Sequence, residues 1–294
     1  MTTVLITGAT GFIARHLAVT LQAADVRVLG VSHSSVVAPP GYARVARTGL
    51  GDSLLPLLAE ERIDAIVHTA LATGTDEYRL NVEGTARWLD EGRAAGVPLQ
   101  ILLSTLSADA DALSLYGRAK WAQEQRFQAA NEVVFRLGVV VGNGGMFVRI
   151  RQSATRLPIT PLLNGGSQQL YVAGVDAICA VLRDTILAGG AGLRGRAWNL
   201  VQPEPVTLRT LIQAIQRDQN QPTRLLSVPV TPVLWAVRLL EGVPMLRLPI
   251  SSANVRGLVQ QGQRHVMSDW ARFGYPTQSL EALLRQVPGG ATSK

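Results

Sequence analysis

Cysteine is almost missing from this chain: Cys179 is the only one in 294 residues, which excludes an internal disulfide and any thiolate-rich metal centre. The four histidines are scattered and show no metal-ligand spacing. Acidic residues are outnumbered 21 to 28 by basic ones, a net charge of +7. No arginine-rich run or aromatic-interleaved basic motif accompanies that charge, so nucleic acid is not the expected partner. The N-terminus enters the apolar run Val4-Leu5-Ile6 directly, without the basic and long apolar segments of a secretory signal, and a cytoplasmic location is expected. Lysine is scarcest after cysteine: against 26 arginines there are two, Lys120 and the terminal Lys294.

That single internal lysine lies four residues after Tyr116, in Tyr116-Gly117-Arg118-Ala119-Lys120. On a helix, positions i and i+4 share a face, so phenol and ammonium can enter one site. A free tyrosine titrates near pH 10, and a neighbouring cation favours the phenolate, bringing the group towards the range of acid-base work. A compact ammonium also suits a ribose hydroxyl better than the larger planar fork of arginine.

Apolar residues make up 47% of the chain and charged ones 17%, enough to bury one large core or two joined ones. The first segment reads as strand, glycine turn and helix: Val4-Leu5-Ile6-Thr7, then Gly8 to Ala14, then Arg15 to Leu21. Gly8 permits the tight turn, Gly11 lets a pyrophosphate approach the backbone, and Ala14 lets helix pack on strand. The helix N-terminal amides then face the anion. Further strands are expected at Val26–Val31, within a strand-helix passage from Val45 to Leu58, and at Ile63–His68, Leu99–Leu103 and Val133–Leu137. Helices are expected from about Asp76 to Ala95 and from Tyr116 to about Ala130. This alternation predicts a Rossmann-type doubly wound parallel α/β sheet, whose ligands bind at the carboxyl ends of the strands. Those ends carry Gly8 to Ala14, Ser32-His33-Ser34, His68 to Ala72 and Ser104-Thr105.

Taken in order, Thr7-Gly8-Ala9-Thr10-Gly11-Phe12-Ile13-Ala14, Val67-His68-Thr69-Ala70, Asn81-Val82-Glu83-Gly84-Thr85, Ser104-Thr105, Tyr116 with Lys120, Arg136 to Gly142, Val175-Asp176 and Trp198-Asn199-Leu200 resemble the extended or atypical short-chain dehydrogenase/reductases, the NAD-dependent epimerase/dehydratase family. The resemblance implies a dinucleotide-binding domain over residues 1–142 and a smaller substrate-binding part over 143–294, interleaved through strands near 170–176 and 197–201. It implies that Tyr116 is the general acid/base, that Lys120 lowers its pKa and holds the nicotinamide ribose, and that Thr105, or else Ser104 or Ser107, polarises the reacting oxygen. Asn81 would brace the strand beside the site. The coenzyme would lie against Gly8, Thr10, Gly11, Phe12, Ile13 and Arg15, then Ser32, His33 and Asp52, then His68, Thr69 and Ala70, with Leu137 and Val139 closing the site. Members preferring NAD carry an acidic residue where this chain has Ser32, so NADP(H) is expected over NAD(H), with Arg15 placed to pair with a 2'-phosphate. Asp52 resembles the acidic residue near the adenine, but Leu50 occupies the usual acidic position, which leaves Asp52 the alternative of a helix cap.

Two departures bear on the substrate. Nucleotide-sugar members carry a diphosphate-gripping arginine where Gly166-Ser167-Gln168-Gln169-Leu170 ends in Leu170, and leucine offers no charge-assisted bond. The run Val228 to Leu240, followed by Val243-Pro244-Met245-Leu246, is an apolar proline-bounded helix too short to span a bilayer. Its readings are a core or homodimer contact, a lid over an apolar substrate, or a surface at 230–248 resting on a membrane or hydrophobic partner with Arg238 and Arg247 at its edge. The expected function is therefore an NAD(P)-dependent oxidoreductase interconverting an alcohol and a ketone on a non-nucleotide, lipophilic small molecule. The alternatives are a sugar-nucleotide epimerase or dehydratase, and a coenzyme-binding structural protein without turnover, resembling the accessory subunit of respiratory complex I.

Overall fold

A computed structural model describes residues 1–34, 36–156, 159–222, 224–229 and 265–287. The apolar stretch expected at 230–248 lies outside the described residues. The chain divides into two compact units, the first formed by Met1–Asp111, Leu115–Leu137 and Val175–Leu200, the second by Ala112–Ser114, Gly138–Gly174 and Val201–Lys294.

The first unit is a seven-stranded sheet. Its strands are β1 (Thr3–Thr7), β2 (Arg27–Ser32), β3 (Arg44–Arg47), β4 (Ala65–His68), β5 (Leu99–Thr105) and β6 (Val133–Leu137), with Ala197–Asn199 at the edge beyond β6. The order from that edge is Ala197–Asn199, β6, β5, β4, β1, β2, β3, and every pair is parallel. Continuous burial along β1 and β4 is what a parallel sheet covered on both faces requires. The strand order reverses between β1 and β4, where a doubly wound sheet opens a crevice for a ligand.

That crevice is tightly stitched. The Thr7 hydroxyl at the end of β1 accepts the N–H groups of Thr69 and Ala70 beyond β4, both at 3.1 Å, and the Thr69 hydroxyl donates back to the Thr7 carbonyl. Gly8 follows at φ 71°, and a Cβ on it would stand 2.9 Å from the Ala70 Cα. Only glycine satisfies both the left-handed backbone and that approach.

The helix expected over 76–95 is broken into α3 (Glu77–Arg79), a π-helical turn (Leu80–Gly84) and α4 (Thr85–Ala94). Tertiary contacts explain the break. Asn81 turns its buried amide onto the loop after β4, donating to Ala72 O and accepting from Ala72 N, both at 2.9 Å, while Gln123 Nε2 donates to the Asn81 carbonyl. Gly84 rests against the loop before α2 (Leu55–Glu60), where an added Cβ would lie 2.1 Å from the Leu50 carbonyl oxygen.

The second unit has its own core, in which Val141, Phe147, Leu162, Leu211, Ile215 and Leu283 are buried together. Helices Gly145–Arg156, Leu208–Asp218 and Leu280–Arg285 supply most of it. Among the described residues, no helix is long and apolar enough to cross a membrane.

Gly84→Ala drives a methyl into backbone rather than into a movable side chain. The expected cost is about 2 kcal/mol or more, read as a lower urea midpoint with an unchanged slope. A variant as stable as wild type would contradict this packing.

Candidate active site

The candidate site grows from the ends of β1, β4 and β5 and from α5 (Leu115–Ala129). That helix does not bury an apolar stripe. Its inward face carries Lys120, Gln123 and Glu124, at 5%, 2% and 0% exposure, and each has partners. Lys120 Nζ donates to the Leu103 carbonyl on β5 at 2.8 Å. Gln123 reaches the Asn81 carbonyl and the Thr85 hydroxyl. The Glu124 carboxylate accepts the Ser104 hydroxyl at 2.6 Å and the Arg136 Nε at 2.9 Å and 3.0 Å to its two oxygens. Arg136 also stacks its guanidinium over the Trp121 ring at 5.9 Å, and the Glu124 bond, outweighing burial, holds it firmly charged.

Tyr116, one turn before Lys120, is 42% exposed. Burial of the phenol holds its pKa above the ordinary tyrosine value, and the hydrogen bond from Thr105 opposes that rise. The expectation of a lowered phenol pKa is thus reversed in the free protein, because desolvation outweighs the stabilising contacts. Burial also pulls the Lys120 ammonium down to about 8, against an upward pull from Glu124.

Thr105 and Ser104 part company. Adjacent residues of a strand face opposite sides, so the Ser104 hydroxyl is buried on Glu124 while Thr105 meets Ser107 at 3.0 Å and the phenol. Ser104 is therefore removed from the candidate catalytic hydroxyls. Asn81 braces the loop after β4 rather than a strand. His68 also departs from expectation: its ring lies in the core against Phe127, with Nε2 on Gln100 Oε1 at 2.8 Å, and burial lowers its pKa to about 4. Only its backbone belongs to the strand end.

At the glycine turn, Gly11 starts α1 (Phe12–Gln22) without a side-chain cap, leaving the first-turn amides available to an anion. Gly8, Gly11 and the closely packed Ala70 therefore fit a dinucleotide pyrophosphate. Thr10 and Arg15 are exposed and Phe12 and Ile13 half-buried at this turn. Arg15 also bears on the buried Tyr42 phenol, partly offsetting the rise that burial gives it. Ser32 is buried at the end of β2, and its register partner across the ladder is Arg47. The His33 ring rests over Gly49, and Asp52 accepts the Gly49 N–H at 2.8 Å. Asp52 does not cap α2, whose N-cap residue Leu54 gives its N–H to Glu91 at 2.7 Å. Leu137 ends β6 in the first unit, whereas Val139 belongs to the second.

Sequence reasoning assigned no role to Glu124 or Arg136. The signal was present, since Tyr116, Lys120 and Glu124 repeat at i, i+4 and i+8, and Arg136 is the one charge in the apolar strand Val133–Leu137.

A parallel sheet with a glycine turn after its first strand and a Tyr116/Lys120 helix after its fifth defines a short-chain dehydrogenase/reductase, an enzyme class that works with a nicotinamide coenzyme. The profile of the NAD dependent epimerase/dehydratase family matches residues 4–157, more than half of the chain, and the chain belongs to that family. No curated protein matches it in sequence. Among solved structures, UDP-glucose 4-epimerase from Thermotoga maritima with UDP-glucose is 16% identical with a TM-score of 0.73, covering 96% of each chain. The UDP-glucose-4-epimerase of Stenotrophomonas maltophila with NAD and formylated UDP-arabinopyranose is 18% identical with a TM-score of 0.71, covering 97% of this chain and 96% of that one. UDP-glucose 4-epimerase from Bifidobacterium longum with NAD+ and UDP is 18% identical with a TM-score of 0.67, covering 78% of this chain and 86% of that one. Identities this low show the fold.

A lysine whose pKa is about 8 folded and 10.5 unfolded is bound to fewer protons in the folded protein between those values, so stability rises with pH through that window. Below it, the whole cost of burying the ammonium is present. Lys120→Met should therefore be the more stable protein near neutral pH, by roughly 1–3 kcal/mol, and should lack the alkaline rise in urea unfolding. A destabilised Lys120→Met at every pH would contradict the burial cost.

Proposed function

We propose that the chain is an NADP(H)-preferring oxidoreductase that interconverts an alcohol and a ketone on a non-nucleotide, lipophilic small molecule. The observation that carries this reading is the convergence of Thr105 at the end of β5 with α5, whose Tyr116 stands one turn before the buried Lys120. A bound nicotinamide supplies or accepts the hydride. For reduction, the phenol is protonated near neutrality, as an ordinary tyrosine is, and burial pushes it further in that direction. Tyr116 Oη and the Thr105 hydroxyl hydrogen-bond the substrate oxygen, and Tyr116 gives that oxygen its proton. Lys120 holds a ribose hydroxyl and stabilises the phenolate left behind.

Coenzyme preference is supported by Ser32, which offers no carboxylate to a ribose diol, and by two exposed cations, Arg47 across the ladder from Ser32 and Arg15 in the first turn of α1. Substrate class is supported by Leu170, which packs against the apolar core of the second unit where diphosphate binders carry arginine. Leu71, Tyr78 and Leu115 add exposed apolar surface at the loop after β4, at α3 and at the start of α5. A second reading, sugar-nucleotide epimerase or dehydratase, is favoured by the long coverage of structures carrying UDP-sugars.

Fluorescence titration should show NADPH binding more tightly than NADH, and Ser32→Asp should weaken NADPH about tenfold or more while sparing NADH. Tight NADH binding with none for NADPH would reverse the coenzyme preference. A ketone panel should reveal coenzyme oxidation that Tyr116→Phe lowers by about two orders of magnitude or more. Turnover of UDP-sugars without any on ketones would decide for the second reading.

A further inference from the structure

Glu124 has no place in the proton and hydride steps, yet it is the most enclosed charge of the site, with 0% side-chain exposure. A carboxylate taken wholly out of water costs several kcal/mol unless its neighbours compensate. Arg136 and Ser104 supply hydrogen bonds, but both fix the carboxylate from the strand side. Along α5 it continues the stripe Tyr116, Lys120, Glu124, one turn beyond a buried ammonium whose own hydrogen bond goes to a neutral carbonyl. We infer that Glu124 is a positioning residue: its strand-anchored carboxylate is the counter-charge that keeps Lys120 an ammonium in a site otherwise too dry for one. The inference deepens the role proposed for Lys120 at the coenzyme ribose and rests on that reading for its functional consequence.

The surroundings leave this task to Glu124. From its own helix, Lys120 is faced by Tyr116 and Glu124. β4 contributes His68, which burial keeps neutral at ordinary pH and which senses the Lys120 charge. β5 offers the Leu103 carbonyl, while the Ser104 hydroxyl is taken by Glu124, that of Thr105 by Ser107 and the Asn81 amide by Ala72. Arg136 of β6 is engaged by Glu124, with Asp109 acting on it from beyond β5. Among the described carboxylates, Glu124 pulls the Lys120 pKa upward, against the larger effect of burial.

The chain's composition makes a direct test available. With two lysines, a [13C]lysine-labelled protein gives one side-chain signal for Lys120 and one for Lys294, and the signal lost in Lys120→Met is that of Lys120. Carbon chemical shifts are followed by NMR as pH is raised. In wild type the Lys120 signal should titrate near 8. Glu124→Gln keeps the volume and removes the charge, and should lower the Lys120 midpoint by roughly one pH unit or more. Arg136→Gln keeps the carboxylate and removes its competing cation, so the midpoint should stay or rise. The fall in Glu124→Gln separates the inference from mere loosening, which would hydrate Lys120 and raise its midpoint. A Glu124→Gln midpoint that is unchanged or higher overturns the inference. Should Glu124→Gln fold poorly, the double variant with Arg136→Gln leaves no unpaired arginine and must still titrate Lys120 below the midpoint of Arg136→Gln alone.

A second readout distinguishes the two layers of the reading. Affinity for NADPH and NADH, measured from pH 6 to 9, should begin to fall at lower pH in Glu124→Gln, in step with the Lys120 signal. If the NMR midpoint moves and the binding profile does not, Glu124 keeps its place and the ribose role of Lys120 fails.

Discussion

Everything in the first unit is arranged around one awkward fact: α5 packs a lysine, a glutamine and a glutamate inward where a helix ordinarily packs leucines. Buried charge tolerates few positions, because each group must find its partner or bear the whole desolvation cost. Lys120 therefore requires the Leu103 carbonyl, Gln123 requires the Asn81 carbonyl, and Glu124 requires both Ser104 and Arg136. These requirements fix α5 against β5, β6 and the π-helical turn at once. Such polar specification contributes uniqueness more than net stability, which suits a helix whose register sets where Tyr116 stands.

The same logic organises the crevice floor. Thr7 ties β1 to the loop after β4, and Asn81 ties that loop to the π-helical turn that also receives Gln123. A pyrophosphate at the uncapped start of α1 and a ribose at Lys120 would thus be held by parts that are already bonded to one another. Preorganisation of this kind lowers what ordering would otherwise cost on binding. His68 shows that polarity at a strand end does not by itself mean contact with a ligand: its ring and Gln100 form a buried pair beneath the sheet edge.

Much of this was legible from the residues because it depends on local rules. The glycine turn after an apolar strand, the alternation of strands with helices, and the i, i+4 placement of Tyr116 and Lys120 are each set by neighbours in sequence. What escaped depends on distant partners. The stretch 76–95 has helical periodicity throughout, and nothing local announces that Asn81 will bond Ala72 and break it into a π-helical turn. Asp52 looked like a cap, but Glu91 from α4 reached the start of α2 instead. Ser104 and Thr105 are chemically alike and adjacent, and the pleat alone tells them apart. Leu170 packs against the apolar core of the second unit, a placement that says nothing by itself about the substrate.

The central claim is that a buried lysine is retained at a stability cost because it receives the coenzyme. Isothermal titration of NADPH into wild type and Lys120→Met tests it most directly. The account predicts a folded variant whose affinity falls by about tenfold or more. Equal affinity in the two proteins would show that the ammonium serves some other purpose and would undo the site described for α5.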